Sequence, residues 1–334
     1  MRRFARTLAL GLAVLLTLLT FGPFLVPVRP YQGKSPYELA DRGSKFIYVR
    51  GIWLHYKIYG QGKPLFLLLH GFGSSTFTWD RVAPALAQLG TVVAYDRPGF
   101  GLSQRPLQKD WHGYDPYDPT EQAQFALELM HALGFEKAVL IGNSTGGGVA
   151  LDMALKYPQA VQAMVLVSPA VSSGGTSNPF VLSLIHTPQV QHLGPLLVRA
   201  LVPRMQSMIT TAWHDPTTMP SDVIPAYWKP LTANNWDVGL WYVTSAPGQL
   251  DLWAQVGPIQ EPALVLHGDD DRIIPQSESR RLVSLNSRFT FVPLAGLGHV
   301  PQEEGPQAFL DVVLPWLTET PGLLPAVSAR GEAH

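Results

Sequence analysis

"VLIGNSTGGGVAL", residues 139–151, is the stretch that decides how this chain folds. Strand-forming residues stop at Gly142, Ser144 follows, and three further glycines begin a segment of helical composition. Because a glycine inside a helix costs about 1 kcal/mol relative to alanine, the cluster needs a reason. The stretch contains G-x-S-x-G, the pattern of a serine exposed on a sharp, strained turn between a buried strand and a helix. Side chains at positions 142 and 146 would collide with the neighbouring strand or helix, which explains the two flanking glycines.

Strand-like and helix-like segments alternate on both sides of this turn. The segments KFIYVRG and IWLHYKIYG alternate apolar and polar residues around Gly51, which predicts a hairpin. Further along, apolar runs predict buried strands near 64–70, 91–96, 137–142, 161–169, 262–268 and 289–294. Between and after them, helical patterns cover 76–90, 121–134, 144–157, 277–286 and 306–319, and Thr120 is the expected cap of the second helix. This alternation predicts an α/β fold with a mostly parallel sheet and helices on both faces.

Residues 171–255 interrupt the alternation. They contain no clear strand, many prolines and five tryptophans, namely Trp213, Trp228, Trp236, Trp241 and Trp253. The flanking strands bring both ends of this insertion to the carboxyl edge of the sheet, where ligands bind in open α/β folds. We therefore expect a helical lid. Its tryptophans, with Met205, Met208 and Met219, are expected to line an apolar pocket, to pack the lid on the sheet, or to contact a membrane surface.

The N-terminus differs in composition from the rest of the chain. Arg2, Arg3 and Arg6 precede an uncharged apolar stretch from Thr7 to Val28. The stretch resembles an export signal but lacks a clear small-x-small cleavage site. It is about as long as the roughly 20 residues that a helix needs to span a bilayer. We predict a signal-anchor with the remaining chain extracytoplasmic, because basic residues stay on the cytoplasmic side. Two alternatives are a secreted protein released by signal cleavage and a buried helix of the soluble domain.

Composition narrows the classes of function. The chain has 334 residues, a formal net charge of -1, 46% hydrophobic residues and no cysteine. Without cysteine there is no disulfide or thiolate chemistry. The near-neutral charge and the lack of a basic stripe argue against nucleic acid as a partner. The oligomeric state does not follow from the sequence.

A serine nucleophile needs a base and an orienting acid. His299 lies in the glycine-flanked loop "LAGLGHVPQEEGP" after the last predicted strand, and "HGDDDRIIP" offers Asp269, Asp270 and Asp271 as acids. The chain order Ser, Asp, His is the one found in α/β-hydrolases. An oxyanion hole is expected from two backbone N–H groups, those of Phe72 in "HGFGSS" and of Thr145 after the serine.

The chain resembles the α/β-hydrolase superfamily over about residues 45–318. The motifs "HGFG", "DRPGFGLS", "GNSTGG", and "GDDDRIIP" followed by "GHVPQEE" match in order. The resemblance implies an eight-stranded sheet with a lid, a serine triad, and an acid three residues beyond the glycine, which selects Asp271. It also implies that Asp96 and Arg97 shape a turn rather than react. The predicted organisation is a signal-anchor or signal peptide 1–28, a linker 29–44, a hydrolase core 45–170 and 256–320, a lid 171–255 and a flexible tail 321–334.

The predicted function is cleavage of a small, apolar carboxylic ester. The reaction would use Ser144, His299 and Asp271 and would pass through an acyl-enzyme. One alternative is hydrolysis of a carbon–carbon bond in a diketone-like substrate, of which the asparagine before the serine is a weak indication. Another is a ligand-binding protein with a slow or idle triad. A serine nucleophile argues against epoxide hydrolase and haloalkane dehalogenase activity, which in this superfamily need a carboxylate nucleophile.

No cofactor or metal site is predicted. His70 is expected to hold the oxyanion loop by hydrogen bonds rather than to act as a second base. His186, His192 and His214 lack the spacing of metal ligands and are expected to be solvated or packed.

Overall fold

A computed structural model of the protein describes residues 2–173 and 179–324. Its centre is an eight-stranded sheet in the order β1-β2-β4-β3-β5-β6-β9-β10. β2 runs antiparallel to β1 and β4, and the other neighbours are parallel, as the sequence predicts. The strands are β1 Lys45–Val49, β2 Ile52–Tyr59, β3 Leu65–Leu69, β4 Thr91–Tyr95, β5 Ala138–Asn143, β6 Val161–Val167, β7 Ser172–Ser173, β8 Leu250–Asp251, β9 Ala263–Gly268 and β10 Phe289–Leu294.

Helices cover both faces of the sheet and also form the insertion above it. They are α1 Arg2–Phe21, α2 Pro36–Leu39, α3 Ala83–Leu86, α4 Gln122–Ala132, α5 Thr145–Lys156, α6 Pro179–Ile185, α7 Pro188–Thr211, α8 Val223–Trp228, α9 Trp236–Ser245, α10 Gln276–Ser284, α11 Pro301–Glu304 and α12 Pro306–Glu319. One core cluster packs α4, α5 and α10 on the sheet, and another packs α3 and α12 on the opposite face. β3, β4 and β5 are fully buried because helices cover both of their faces, which explains their unbroken apolar runs.

Two local predictions are wrong. The helix predicted over 76–90 divides into a 3₁₀ turn, Thr76–Trp79, and the short α3. Pro84 lies in the first turn of α3, where its missing N–H needs no partner, so the helix begins there instead of passing through. Thr120 does not cap α4; it lies in a 3₁₀ turn whose cap is Asp118, which accepts a hydrogen bond from the Thr120 amide.

The insertion between β6 and β9 carries α6 to α9 and is called the lid below. The sequence indicates no strand there, but β7 and β8 form a two-residue antiparallel pair at its base, too short to leave a pattern. Trp236 and Trp241 pack in a cluster inside the lid, and Trp213 packs with Val223 and Val300 at the junction with the core. Packing is therefore the main role of these three tryptophans.

The apolar N-terminal helix stands apart from the core. Residues Arg3–Leu25 have a mean hydropathy of 2.2 and none of the segment is buried, so it is long and apolar enough to cross a membrane. A single such helix near the N-terminus is also what a signal sequence looks like. At the other end of the chain, Leu323 is buried in the core cluster with α12, and residues 325–334 of the predicted tail lie outside the described residues.

Candidate active site

Ser144 lies at the tip of a sharp turn between β5 and α5. Its φ of 55° and ψ of -122° are values that non-glycine residues rarely adopt, as expected for a serine on a strained turn between a strand and a helix. A Cβ at Gly146 would lie 2.0 Å from the Leu69 carbonyl oxygen of β3, and one at Gly142 would lie 2.4 Å from the Gly146 oxygen. The collision predicted for side chains at both positions is confirmed.

His299 and Asp271 meet in the loops that follow β10 and β9. The Nδ1 of His299 lies 2.8 Å from Oδ2 of Asp271, whose side chain is fully buried. The other Asp271 oxygen accepts hydrogen bonds from the amides of Ile273 and Ile274, at 2.8 and 2.9 Å. Burial acts to raise the pKa of this carboxyl, but hydrogen bonds from His267 and His299 outweigh it and hold the pKa far below its usual range. Asp271 is therefore a carboxylate at any ordinary pH.

The neighbouring aspartates have other partners. Asp269 accepts a hydrogen bond from the Gly296 amide at 2.8 Å, which closes the loop before His299. Asp270 lies 2.7 Å from Nδ1 of His214 in the lid and also pairs with Arg272. Of the three candidate acids, Asp271 alone contacts His299 among the described residues.

Asn143 joins the serine turn to the histidine loop. Its side-chain amide donates to the His299 carbonyl at 3.0 Å and to the Val167 carbonyl at 3.2 Å. Ser144 and His299 both lie at the carboxyl edge of the sheet, yet their side chains make no hydrogen bond to each other in the described chain. Catalytic hydrogen bonds of this kind are often long in a free enzyme and shorten when substrate binds.

The two predicted oxyanion donors face the same cavity as Ser144. Phe72 and Thr145 both line it, and within the described residues neither backbone N–H donates a hydrogen bond. His70 holds the loop that carries Phe72: its Nδ1 lies 2.7 Å from the Gly71 carbonyl, and its Nε2 accepts from the Arg97 amide at 3.0 Å. Burial, with Arg97 nearby, lowers the pKa of His70 to about 3, so this imidazole is neutral and has a structural role.

A cavity of about 410 Å³ extends from Ser144 under the lid. Its wall is mostly apolar and includes Phe100, Val149, Val243, Leu250 and Ile274. Of the described residues that line it, none is a tryptophan. A pocket of this size and lining suits a small, mainly apolar ligand.

Arg97 also lines this cavity, although sequence reasoning gives it only a turn-shaping role. The residue is 4% exposed, its Nη2 donates to the Thr145 hydroxyl at 2.8 Å, and its guanidinium lies 5.2 Å from the Phe100 ring centroid. Burial lowers its pKa to about 10, and no carboxylate in the described chain forms an ion pair with it. Nothing in the sequence motif distinguishes this arginine from a purely structural one, because the cavity that it lines is formed in part by lid residues.

Asp96 has the structural role that the resemblance implies. Its carboxylate accepts from the amides of Thr76 and Leu102, both at 2.6 Å, and lies 2.7 Å from Nδ1 of His55. These contacts fix the turn after β4 against the loop after β3.

The lid histidines contact protein groups. His186 lies 3.0 Å from the Ser245 carbonyl and His192 lies 3.0 Å from the Val26 carbonyl, while His214 pairs with Asp270. Across the described ranges, no group of three or more histidine or acidic side chains is arranged to hold a metal ion.

Comparison with known proteins agrees with this architecture. The profile of the alpha/beta hydrolase fold family matches residues 64–306, and the chain belongs to that family. It is 26% identical over 237 residues to 2-hydroxy-6-oxo-6-phenylhexa-2,4-dienoate hydrolase of Comamonas testosteroni, covering 69% of this chain and 79% of the relative. It is 29% identical over 303 residues to 2-hydroxymuconate semialdehyde hydrolase of Pseudomonas sp. (strain CF600), covering 85% and 97%.

One solved structure matches nearly the whole length of the chain. The crystal structure of a membrane phospholipase A, described as a bacterial virulence factor, superposes with a TM-score of 0.64 at 25% identity. The match covers 95% of this chain and 98% of that one. These proteins are named for different substrates, and the shared fold does not choose between them.

Proposed function

We propose that the protein is a membrane-anchored serine hydrolase that cleaves apolar carboxylic esters. The observation that carries this proposal is the His299–Asp271 pair at 2.8 Å, joined through Asn143 to the turn that exposes Ser144. The backbone N–H groups of Phe72 and Thr145, which have no hydrogen-bond partner among the described residues and line the same apolar cavity, supply the donors that acyl transfer requires.

In the proposed reaction, Ser144 Oγ attacks the carbonyl carbon while Nε2 of His299 takes the hydroxyl proton. The amides of Phe72 and Thr145 donate to the developing oxyanion. The carbon–oxygen bond then breaks, and the alcohol leaves with the proton from His299. Water attacks the acyl-enzyme, His299 takes a proton from it, and the acid leaves as Ser144 regains its proton. Asp271 holds the imidazole in the Nδ1–H tautomer and stabilises its positive charge.

A carbon–carbon bond hydrolase is the second candidate, because specific observations favour it. The two curated relatives are named for dienoate and semialdehyde substrates, and they match most of this chain. Arg97 is a buried cation on the cavity wall without an ion-pair partner among the described residues. A substrate carboxylate is a natural partner for such a guanidinium.

A labelling and turnover experiment separates the candidates. We expect a fluorophosphonate probe to label the purified protein and Ser144→Ala to abolish both the labelling and the hydrolysis of p-nitrophenyl esters. Faster turnover of a ring-fission dienoate than of any ester in a graded chain-length series would assign the second candidate. No labelling and no turnover would leave a ligand-binding protein with an idle triad.

The cellular location and the domain organisation belong to the same proposal. The apolar helix with three arginines before it supports a signal-anchor with the catalytic part extracytoplasmic. We retain the core, lid and tail boundaries predicted above. The alternative, secretion after cleavage, predicts a mature chain that lacks residues 1–28, which intact mass spectrometry detects directly.

A further inference from the structure

The segment that follows the apolar helix runs along the lid. This segment, residues 20–34, is called the strap. Gln189 of α7 donates to the Thr20 carbonyl at 3.1 Å, and His192 lies 3.0 Å from the Val26 carbonyl. The ring of Phe24 lies 5.4 Å from that of His192. The apolar helix therefore ends against the N-terminal part of α7.

The second half of the strap is fixed to the lid as well. Arg199 of α7 donates to the Arg29 carbonyl at 2.5 Å and pairs with the fully buried Asp237 of α9. The other Asp237 oxygen accepts from the Tyr31 amide at 3.0 Å. Further on, the Gly33 amide donates to the Asn234 side chain at 2.8 Å. Because the strap holds to the lid over its whole length, a membrane that contains the apolar helix has the lid beside it.

The lid also presents an apolar face on its outside. This lid face consists of Leu184 on α6 and Leu197, Leu201 and Met208 on α7, all of which are exposed. The three α7 residues follow one another at intervals of four and seven, which puts them on one side of the helix. No aspartate or glutamate occurs between Asp152 and Asp215, whereas Arg204 is exposed beside the lid face. An apolar helix face with an exposed arginine beside it and no acidic residue on the same helices fits the headgroup region of a bilayer.

A second cavity, of about 590 Å³, lies between the strap and the lid. Val28 and Pro30 of the strap line it together with His192 and Tyr242 of the lid. The ring of Tyr242 lies 5.3 Å from that of Tyr117, which lines the catalytic cavity. Two aromatic side chains thus separate the space at the end of the apolar helix from the space above Ser144.

We infer that the lid face lies in the headgroup region of the bilayer and that the substrate is a membrane-resident amphiphile whose acyl ester enters from the bilayer. The inference rests on the proposed membrane anchoring and ester hydrolysis, and it names the substrate class for that site. The bilayer is the occupant that the structure favours, because the apolar helix, exposed along its whole length, ends on the same lid helix that carries the lid face.

Fluorescence quenching in membranes tests the location of the lid face. Because the chain has no cysteine, Leu201→Cys gives a single labelling site. Leu285→Cys, just after α10, is the matched control, because the Leu285 side chain is 43% exposed and the Leu201 side chain is 48% exposed. The full chain, labelled with a nitrobenzoxadiazole dye, is reconstituted in vesicles of phosphatidylethanolamine and phosphatidylglycerol with doxyl-labelled lipid. We expect at least threefold stronger quenching at position 201 than at 285.

Two results would overturn the location. Equal, weak quenching at both positions would put the lid face in water. Protection of position 201 from aqueous iodide that increases with protein density, without lipid quenching, would assign the lid face to a second copy of the chain.

Activity on two kinds of substrate tests the substrate class. For Leu197→Glu/Leu201→Glu, we expect at least a tenfold loss of hydrolysis of a long-chain diacylglycerol held in vesicles, with p-nitrophenyl butyrate turnover unchanged. Leu285→Glu is expected to retain both activities. A parallel loss of both, or of neither, by the double variant would refute the inference about substrate entry. Absence of all ester hydrolysis in the wild type, with strong quenching at position 201, would refute the proposed function and leave the membrane contact intact.

Discussion

The backbone of Ser144 departs from ordinary geometry, and the residue lines the cavity under the lid. Its φ of 55° is unfavourable for a residue with a Cβ, by about 1–3 kcal/mol. Burial of β5 and α5 on both sides over-determines the turn, so the strain persists. The result is a hydroxyl that faces the cavity instead of forming the hydrogen bonds of a regular helix cap.

The first prediction concerns the acid. Asp271→Asn is expected to lower kcat by about 10³- to 10⁴-fold, because the amide favours the wrong imidazole tautomer and no longer stabilises its positive charge. Asp270→Asn, whose contacts are with His214 and Arg272, is expected to change kcat by less than about threefold. Steady-state kinetics on one ester measure both variants. Similar losses in the two variants would remove the assigned role from Asp271.

The second prediction concerns Glu303, which is 3% exposed and follows His299 closely in the chain. Burial raises its pKa to about 7, against hydrogen bonds from Thr78 and Tyr227, with Arg81 and Asp222 as the charged neighbours. The folded state therefore holds this proton more tightly than the unfolded chain. The associated stability is present below about pH 4.5 and is lost as pH rises through about 7, up to about 3 kcal/mol.

Thermal unfolding between pH 5 and 8 measures this effect. The melting temperature of the wild type is expected to fall with rising pH, and Glu303→Gln is expected to flatten that fall, because an amide mimics the protonated acid. Glu319→Gln, at an exposed position in α12, serves as the control and is expected to retain the wild-type profile. An unchanged slope in Glu303→Gln would contradict the assignment.

At the scale of elements, α11 connects the histidine loop to the lid. Glu304 accepts hydrogen bonds from the Gly298 amide at 2.6 Å and from the Asp215 amide in the lid at 3.0 Å. The Tyr227 hydroxyl of α8 donates to Glu303 at 3.0 Å. The acidic pair in "GHVPQEE" thus holds the loops to one another, a structural role that the motif alone does not reveal.

The third prediction concerns the pairing of α7 with α9. Arg199→Ala leaves Asp237 as a buried charge without its ion-pair partner, which costs about 3 kcal/mol. Since the same arginine holds the strap, we expect faster proteolysis of the lid and a lower melting temperature. Arg204→Ala, on the exposed side of α7, is the matched control and is expected to change neither. Equal rates of lid proteolysis in Arg199→Ala and Arg204→Ala would show that the Arg199–Asp237 ion pair does not hold the lid.

At the scale of the whole molecule, the fourth prediction concerns membrane topology. The full chain is expected to remain in the membrane fraction after washing with alkaline carbonate. In intact spheroplasts, protease added outside is expected to degrade the catalytic part, because the three N-terminal arginines favour the cytoplasmic side. A soluble chain with the mass of residues 29–334 would instead establish secretion. Degradation only after lysis would reverse the topology.

Most of the candidate site could be proposed from the chain because each of its residues lies in a local sequence signal. G-x-S-x-G after a buried strand indicates the serine turn, and glycine-flanked His299 after the last strand indicates the base. The residues alone leave three candidate acids, of which the family resemblance selects Asp271. In the structure the path of the loop after β9 brings Asp271, and not Asp269 or Asp270, to the imidazole. The sequence pattern does not predict the break before α3, because Pro84 is compatible both with a first turn and with a kinked helix.

The sequence by itself determined the alternation of strands and helices, the order along the chain of the loops that carry Ser144, Asp271 and His299, and the presence of an apolar N-terminal helix. These features depend on periodicity and on local backbone requirements. Only the tertiary structure decided that the strap lies on the lid, that Arg97 faces the cavity and that Glu303 is buried beneath Tyr227. Those contacts join residues far apart in the chain, and their formation depends on how the lid packs, which no local pattern encodes.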